Sequence, residues 1–252
     1  YEPGAIVCRV APSFTRFGNF ELFAARKDTA LLKQLADHTI QADFPLLKDP
    51  GPETYLQWFE AVCKATCQMI VHWMRVGFVH GVMNTDNMSI TGLTIDYGPY
   101  GWLEDFNPSW TPNTTDAGMR RYCFGNQPKI ALWNLVQLGN AIYPLVGKAQ
   151  PLQDILDHYD QDYQKKYHAM MAAKLGLTRF DPDQDARLIH DLTHLLTRAE
   201  TDMTLFFRAL ARTRPNTLIV GPVKSGKSTM LKTFYIEREH DQKVVCVEKH
   251  SE

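Results

Sequence analysis

The sequence predicts an α+β protein that is mainly helical, with a small β-hairpin in its first half and a βαβ segment at its C-terminal end. Three observations lead to this prediction. Apolar residues recur every three or four positions through several long segments, which is typical of helices packed on a core. Two short apolar runs flank Thr91-Gly92, a pair that favours a tight turn. Near the C-terminus, a β-branched run, a glycine-rich loop and a helical segment follow one another.

The composition is that of a globular protein. The chain has 252 residues, 44% of them hydrophobic, and a formal net charge of −1, which suits one large or two ordinary domains. The near-neutral charge argues against nucleic acid as a partner. No apolar run approaches the length of a membrane span, and no signal peptide opens the chain. The five cysteines are scattered and form no disulfide framework. We therefore expect a cytoplasmic protein that binds neither nucleic acid nor membrane.

Periodicity predicts six helices and one strand. The strand is expected over Ala5–Val10, and the helices over Asp28–Thr39, Glu53–Val76, Gln127–Leu145, Pro151–Leu175, Asp183–Leu196 and Ala199–Ala211. The long helix over Glu53–Val76 ends directly before Gly77, which is its expected C-cap. This helix should deliver the chain to His80 from a rigid base.

The stretch from His80 to Gly98, HGVMNTDNMSITGLTIDYG, has the spacing of a protein-kinase catalytic signature. That signature reads H-R-D-x-x-x-x-N followed by D-F-G, and its Asn and second Asp hold the magnesium ions that carry ATP. Asn87 lies seven residues after His80, and Asp96 begins the D-x-G. The catalytic-base Asp of kinases is replaced by Val82, which cannot accept a proton. The spacing therefore indicates a kinase-like site with altered chemistry.

Turn chemistry predicts a hairpin within this stretch. Its strands would be Met88–Ile90 and Leu93–Ile95, so that Asn87 and Asp96 lie side by side at its two ends. An amide oxygen and a carboxylate suit Mg²⁺, which takes oxygen ligands. Asp86 adds an acidic group at the same place. The alternative interpretation is a hairpin with polar ends and no metal.

Four segments resemble the selenoprotein O family: HGVMNTDN, IDYGPYGWLEDF, RRYCFGNQP and ALWNL. The resemblance extends from about residue 1 to about residue 210. It implies a pseudokinase fold in which residues 1–212 form a protein-kinase-like C-lobe, truncated at its N-lobe. It also implies transfer of AMP from ATP to Ser, Thr or Tyr hydroxyls of proteins, with ATP bound flipped relative to kinases. On this basis Asp86 is the expected general base, while Asn87 and Asp96 bind Mg²⁺ (or Mn²⁺).

Arg9 and Arg16 lie on either side of a Pro-containing bend. Two arginines presented by a bend can bind a polyphosphate bidentately, and the alternative is an ordinary surface pair. The segment RVAPSxxRxG matches the family's segment whose two arginines contact the ATP phosphates. The resemblance therefore favours a role in ATP binding for both residues.

A second nucleotide-binding motif lies in residues 213–252, after a predicted junction near Arg212–Pro215. GPVKSGKS, from Gly221 to Ser228, matches the P-loop motif G-x-x-x-x-G-K-[ST]. In such a loop Lys227 neutralises phosphates and Ser228 reaches Mg²⁺. The segment resembles the opening of a thymidine-kinase-type P-loop, although too few residues follow it to complete that fold.

Three functions follow from these motifs. The first is a protein adenylyltransferase that uses Asp86, Asn87, Asp96, Arg9 and Arg16. The second is a P-loop NTPase or nucleoside kinase centred on Lys227 and Ser228. The third is a catalytically inactive pseudokinase fragment, because the glycine-rich loop and the Lys–Glu pair of a kinase N-lobe are not found upstream.

Overall fold

The computed structural model of the chain describes residues 4–6 and 8–212. Within these residues the protein is mainly helical and has one small sheet of two strands. The helices are α1 (Phe17–Ala25), α2 (Thr29–Asp43), α3 (Pro52–Val76), α4 (Gln127–Val146), α5 (Ala149–Leu175), α6 (Pro182–Arg198) and α7 (Met203–Ala211). None of the described helices is long and apolar enough to cross a membrane.

All six predicted helices are confirmed, with ends that differ by a few residues. The helix α2 begins at Thr29 because Asp28 caps it, its carboxylate accepting a hydrogen bond from the Leu31 N–H at 3.0 Å. Gly77 follows α3 with φ +72°, as a C-cap glycine does. The helix α1 was not predicted. The strand expected over Ala5–Val10 is wrong, since the described residues of that stretch belong to no strand.

The predicted hairpin is also wrong, although its turn exists. The Gly92 N–H donates to the Ser89 carbonyl at 3.3 Å, and Gly92 has φ +68°. The strands of the sheet lie elsewhere and are β1 (Phe78–Val79) and β2 (Gly101–Trp102). The backbone around Ser89 forms a bridge with Arg16 and none with Leu93–Ile95.

The described chain divides into two compact units. The first comprises residues up to 74, 78–101 and 109–164, and it contains the candidate site. Its core is built on α3, where Trp58, Phe59 and Ile70 are fully buried. The helix α1 packs against α2 and α4, and the ring of Phe20 lies 5.0 Å from that of Trp58. These contacts hold α1 and α3 rigidly beneath the loops that follow them.

Gln127, the first residue of α4, is fully buried within the first unit. Its side-chain oxygen accepts a hydrogen bond from the His80 N–H at 3.0 Å, and its nitrogen donates to the Phe78 carbonyl at 2.9 Å. One amide group therefore satisfies two backbone groups around β1.

Replacing Gln127 with Met should destabilise the protein by at least about 2 kcal/mol, because two buried backbone groups would lose their partners. Urea unfolding would measure this change. The matched control is Gln150→Met on the exposed face of α5, which should change the free energy of unfolding by less than about 0.5 kcal/mol. Equal effects of the two substitutions would contradict the role assigned to Gln127.

The second unit comprises residues 75–77, 102–108 and the chain from 165 onward. Among its described residues, an apolar cluster joins the end of α5 to α6 and α7, and its buried members are Met171, Leu175, Ile189, Leu192, Leu196 and Leu210. Lys174 is half-buried beside this cluster. Its ammonium lies 3.6 Å from the centroid of the Phe207 ring and donates to the Arg75 carbonyl at 2.7 Å.

Burial lowers the pKa of Lys174 to about 8, with the charge of Arg75 as a smaller cause. The unfolded chain, in which a lysine pKa is about 10.4, therefore binds more protons between about pH 8 and pH 10. It follows that Lys174 makes the free energy of unfolding rise with pH over this range. Urea unfolding at several pH values should show this rise reduced in Lys174→Met. Lys165→Met, an exposed position on the same helix, should keep the parent slope.

Candidate nucleotide site

The site is assembled where the chain before α1 pairs with the backbone around Ser89. Arg16 forms an antiparallel bridge with Ser89. The Phe17 N–H donates to the Met88 carbonyl at 3.0 Å, and the Ile90 N–H donates to the Thr15 carbonyl at 3.2 Å. Arg16 is also the N-cap residue of α1, with extended backbone. This pairing brings Arg16 to the loop that carries Asp86, Asn87 and Asp96.

Asp96 forms ion pairs with both predicted arginines. Its carboxylate accepts a hydrogen bond from Nε of Arg16 at 2.5 Å and from a terminal nitrogen of Arg9 at 3.1 Å. The bond from Arg16 is the main cause that lowers the pKa of Asp96. The same bond is the main cause that raises the pKa of Arg16. The structure therefore brings together three residues that the sequence placed 7 to 87 positions apart.

The backbone of Asp96 has the left-handed conformation, with φ +53°. Asp tolerates this conformation better than most residues, because its short polar side chain can hydrogen-bond locally. The Asp96 carbonyl accepts a hydrogen bond from the Gly98 N–H at 3.0 Å. The conformation is thus part of a tight turn that aims the carboxylate at the two arginines.

His80 is fully buried and fixes the residue before Asp96. Its Nε2 donates to the Ile95 carbonyl at 2.8 Å, while its Nδ1 accepts a hydrogen bond from the Val82 N–H at 3.3 Å. Burial is the main cause that lowers the pKa of His80, and a neutral ring is what these two bonds require. His80 therefore positions the backbone at Ile95 through a neutral ring.

Asp86 and Asn87 lie on a short 3₁₀ turn, Thr85–Asn87. The side-chain nitrogen of Asn87 donates to the Val82 carbonyl at 2.9 Å, so the amide oxygen is the atom that it can offer a metal. Asp86 is exposed. The turn is held at its start by Asn84, whose side-chain oxygen accepts a hydrogen bond from the Tyr122 hydroxyl.

The predicted metal ligands, Asp96 and Asn87, are of the chemical types that bind a divalent cation arriving with a nucleotide. Among the described residues, no group of three or more His, Cys, Asp or Glu could hold a metal by itself. Asp96 and Asn87 supply one carboxylate and one amide oxygen. Mg²⁺ is usually held by one or two carboxylates, waters and substrate phosphates. This pair is therefore adequate only when phosphate oxygens complete the coordination.

Part of the sequence prediction concerns residues that the structure does not describe. The structure also shows one residue near the site that was not predicted. Lys227 and Ser228 of the P-loop motif lie outside the described residues, as does the whole segment 213–252. Gln127, which holds the backbone at His80, was missed. The only signal for it in the sequence is a polar residue at the start of a strongly apolar helix.

Comparison with known proteins gives first the class of the relatives, which are named protein nucleotidyltransferases. Three curated relatives share the name protein nucleotidyltransferase YdiU: those of Rhodopirellula baltica (60% identical over 84% of this chain), Aromatoleum aromaticum (62% over 83%) and an Azoarcus species (57% over 93%). The chain spans 40% of the length of the first two relatives and 44% of the third.

The chain belongs to the SelO family. The family model described as protein adenylyltransferase SelO matches residues 1–243. This confirms the resemblance drawn from the four sequence segments. The match also extends beyond residue 212 and includes GPVKSGKS, while the domain boundary near residue 212 stays a prediction.

The pairing at Asp96 predicts a specific dependence of stability on pH. A carboxylate whose pKa is lowered by folding stabilises the protein above its unfolded pKa of about 3.9, and this contribution is lost as pH falls through the folded pKa. Between about pH 6 and pH 3, the parent chain should therefore lose more stability than Asp96→Asn. Asn keeps the left-handed backbone, so the comparison isolates the charge.

Urea unfolding at a series of pH values would measure this difference. The matched control is Asp49→Asn, at another aspartate with positive φ (+54°) that forms no ion pair within the described part of the chain. Parallel pH curves for the parent and Asp96→Asn would show that the ion pairs are not formed in solution.

Proposed function

We propose that this chain carries the nucleotide-binding and transfer site of a protein adenylyltransferase that moves AMP from Mg-ATP to Ser, Thr or Tyr hydroxyls of proteins. The observation that carries the proposal is the pairing of Arg9 and Arg16 with the single carboxylate of Asp96. The family description and the name of the relatives point to the same chemistry. Residues 1–212 would form the protein-kinase-like C-lobe that contains this site.

The three paired residues are proposed to exchange partners when the nucleotide binds. Two guanidinium groups beside one carboxylate carry a net positive charge, and Arg9 is 64% exposed at its side chain. A polyphosphate offers more charge and bidentate geometry than one carboxylate. The arginines would then bind phosphate oxygens, and Asp96 with Asn87 would hold the cation. When bound, that cation would supply neutralisation of phosphate charge.

Asp86 is the proposed general base. Its exposed carboxylate lies on the same 3₁₀ turn as Asn87, so an incoming hydroxyl can reach it. In the proposed step, the hydroxyl oxygen attacks the α-phosphorus and its proton passes to Asp86. The bond between the α-phosphorus and the bridging oxygen breaks, and pyrophosphate leaves. Positioning and charge neutralisation by the arginines would supply most of the rate enhancement.

Incubation with Mg²⁺ and ATP labelled at either the α- or the γ-phosphate would test this function. AMP transfer puts α-label on protein and leaves γ-label in pyrophosphate, whereas phosphoryl transfer puts γ-label on protein and leaves α-label in ADP. Asp86→Asn should lower α-labelling by about a hundredfold or more, the usual contribution of a general base. Asp96→Asn should abolish α-labelling, and Asp49→Asn should leave it unchanged.

The same assay separates the proposed site from the P-loop motif. If Lys227 and Ser228 bind phosphate as an independent P-loop segment in residues 213–252, Lys227→Ala should leave α-labelling intact. Formation of ADP that is lost in Lys227→Ala and kept in Asp96→Asn would instead favour the P-loop NTPase or nucleoside kinase. A folded parent chain that incorporates no label would refute adenylyl transfer by this chain.

A further inference from the structure

Gly18 is an unexpected residue at its place in α1. It is the second residue of the helix, after Phe17, and its φ is not positive. Its backbone conformation is therefore open to any residue. Glycine is among the least favourable residues within a helix, because it loses the most conformational freedom on folding. The reason for glycine at this position must lie in the space around it.

That space is filled by Asp86. A Cβ atom added to Gly18 would lie 2.1 Å from Oδ1 of Asp86 and 3.2 Å from its Cγ. The first distance is far below van der Waals contact. It would also lie 3.2 Å from the backbone nitrogen of Asp86, a tight contact that a small shift relieves. The observed carboxylate position is thus compatible only with glycine at residue 18.

Gly18 also lies close to the phosphate-binding arginine in the chain. Arg16, the N-cap of α1, precedes it by two residues, and the charge of Asp86 contributes to raising the pKa of Arg16, after the larger effect of the Asp96 hydrogen bond. The first turn of α1 therefore touches both the proposed base and the proposed phosphate ligand. A change in the position of the Asp86 carboxylate would alter the geometry between them.

We propose that Gly18 is a positioning residue for Asp86, whose carboxylate occupies the place that any side chain at residue 18 would fill. This inference rests on the proposed function, in which Asp86 is the general base. The clash in Gly18→Ala involves mainly the end of a side chain, which can rotate away. The substitution should therefore preserve the fold while moving the carboxylate, and misplacement of a catalytic group by about 1 Å can cost about a hundredfold in rate.

The experiment has two parts, and the first does not depend on activity. Gly18→Ala is made in the parent chain and in Asp86→Ala, and the urea midpoint of unfolding is measured for all four proteins. In Asp86→Ala the carboxylate is gone, so alanine should raise the midpoint through its helix propensity. In the parent chain the rise should be smaller or become a fall. Equal shifts in the two backgrounds would overturn the inference.

The second part measures α-label transfer as a function of ATP concentration. In Gly18→Ala, kcat should fall about a hundredfold, while KM for ATP stays within about twofold because Arg9, Arg16 and Asp96 are unchanged. Gly118→Ala, where an added Cβ meets nothing within 4 Å, should match the parent. An unchanged kcat in Gly18→Ala would overturn the inference. If the parent incorporates no label, unequal midpoint shifts still support the contact, and the failure is that of the proposed function.

Discussion

The candidate site depends on the pairing of Arg16 with the loop that carries Asp96. The pairing is made twice, through the backbone at Ser89 and through the side chain at Asp96. The backbone bridge fixes the position of the Arg16 main chain, and the ion pair fixes the position of its guanidinium group. Without the bridge, the chain before α1 would have no defined register against the loop. The site is therefore a product of contacts between segments about 70 to 90 positions apart, supported by α3 beneath them.

Two buried polar side chains next to the site hold its backbone in a defined position. Gln127 holds the backbone at both Phe78 and His80, and His80 in turn holds the carbonyl of Ile95. The side chains of Gln127 and His80 are fully buried, and each forms two hydrogen bonds with backbone groups. Satisfied buried polar groups rigidify a structure, because breaking any one of them is costly in a low dielectric. Hydrogen bonds between Gln127 and the His80 backbone and from the His80 ring to the Ile95 carbonyl therefore fix the backbone next to Asp96.

The helices could be predicted from sequence because they depend on local periodicity. The stretch that contains His80, Asn87 and Asp96 could be recognised because its residues follow the spacing of a motif. The elements that failed depend on distant partners. The backbone at Ser89 could pair with Leu93–Ile95 or with Arg16, and nothing local decides between them. The helix α1 was missed because FGNFELFAA contains a glycine near its start and has no cap of the usual residue types. Its signal was the spacing of Phe17 and Phe20, both fully buried on the core side.

The left-handed backbone of Asp96 has a consequence for how such a site can change over evolutionary time. Few residue types accept that conformation readily, chiefly Gly, Asn and Asp, and among them only Asp carries a charge. Replacement by Asn would leave the turn and the fold intact while removing the negative charge that faces the arginines. Under the proposed function, one conservative substitution would therefore silence the site, and its cost to folding would be limited to the stabilisation that the two ion pairs supply. Under the proposed function, a protein with this fold and Asn at the same place would keep the turn and lack the transfer activity.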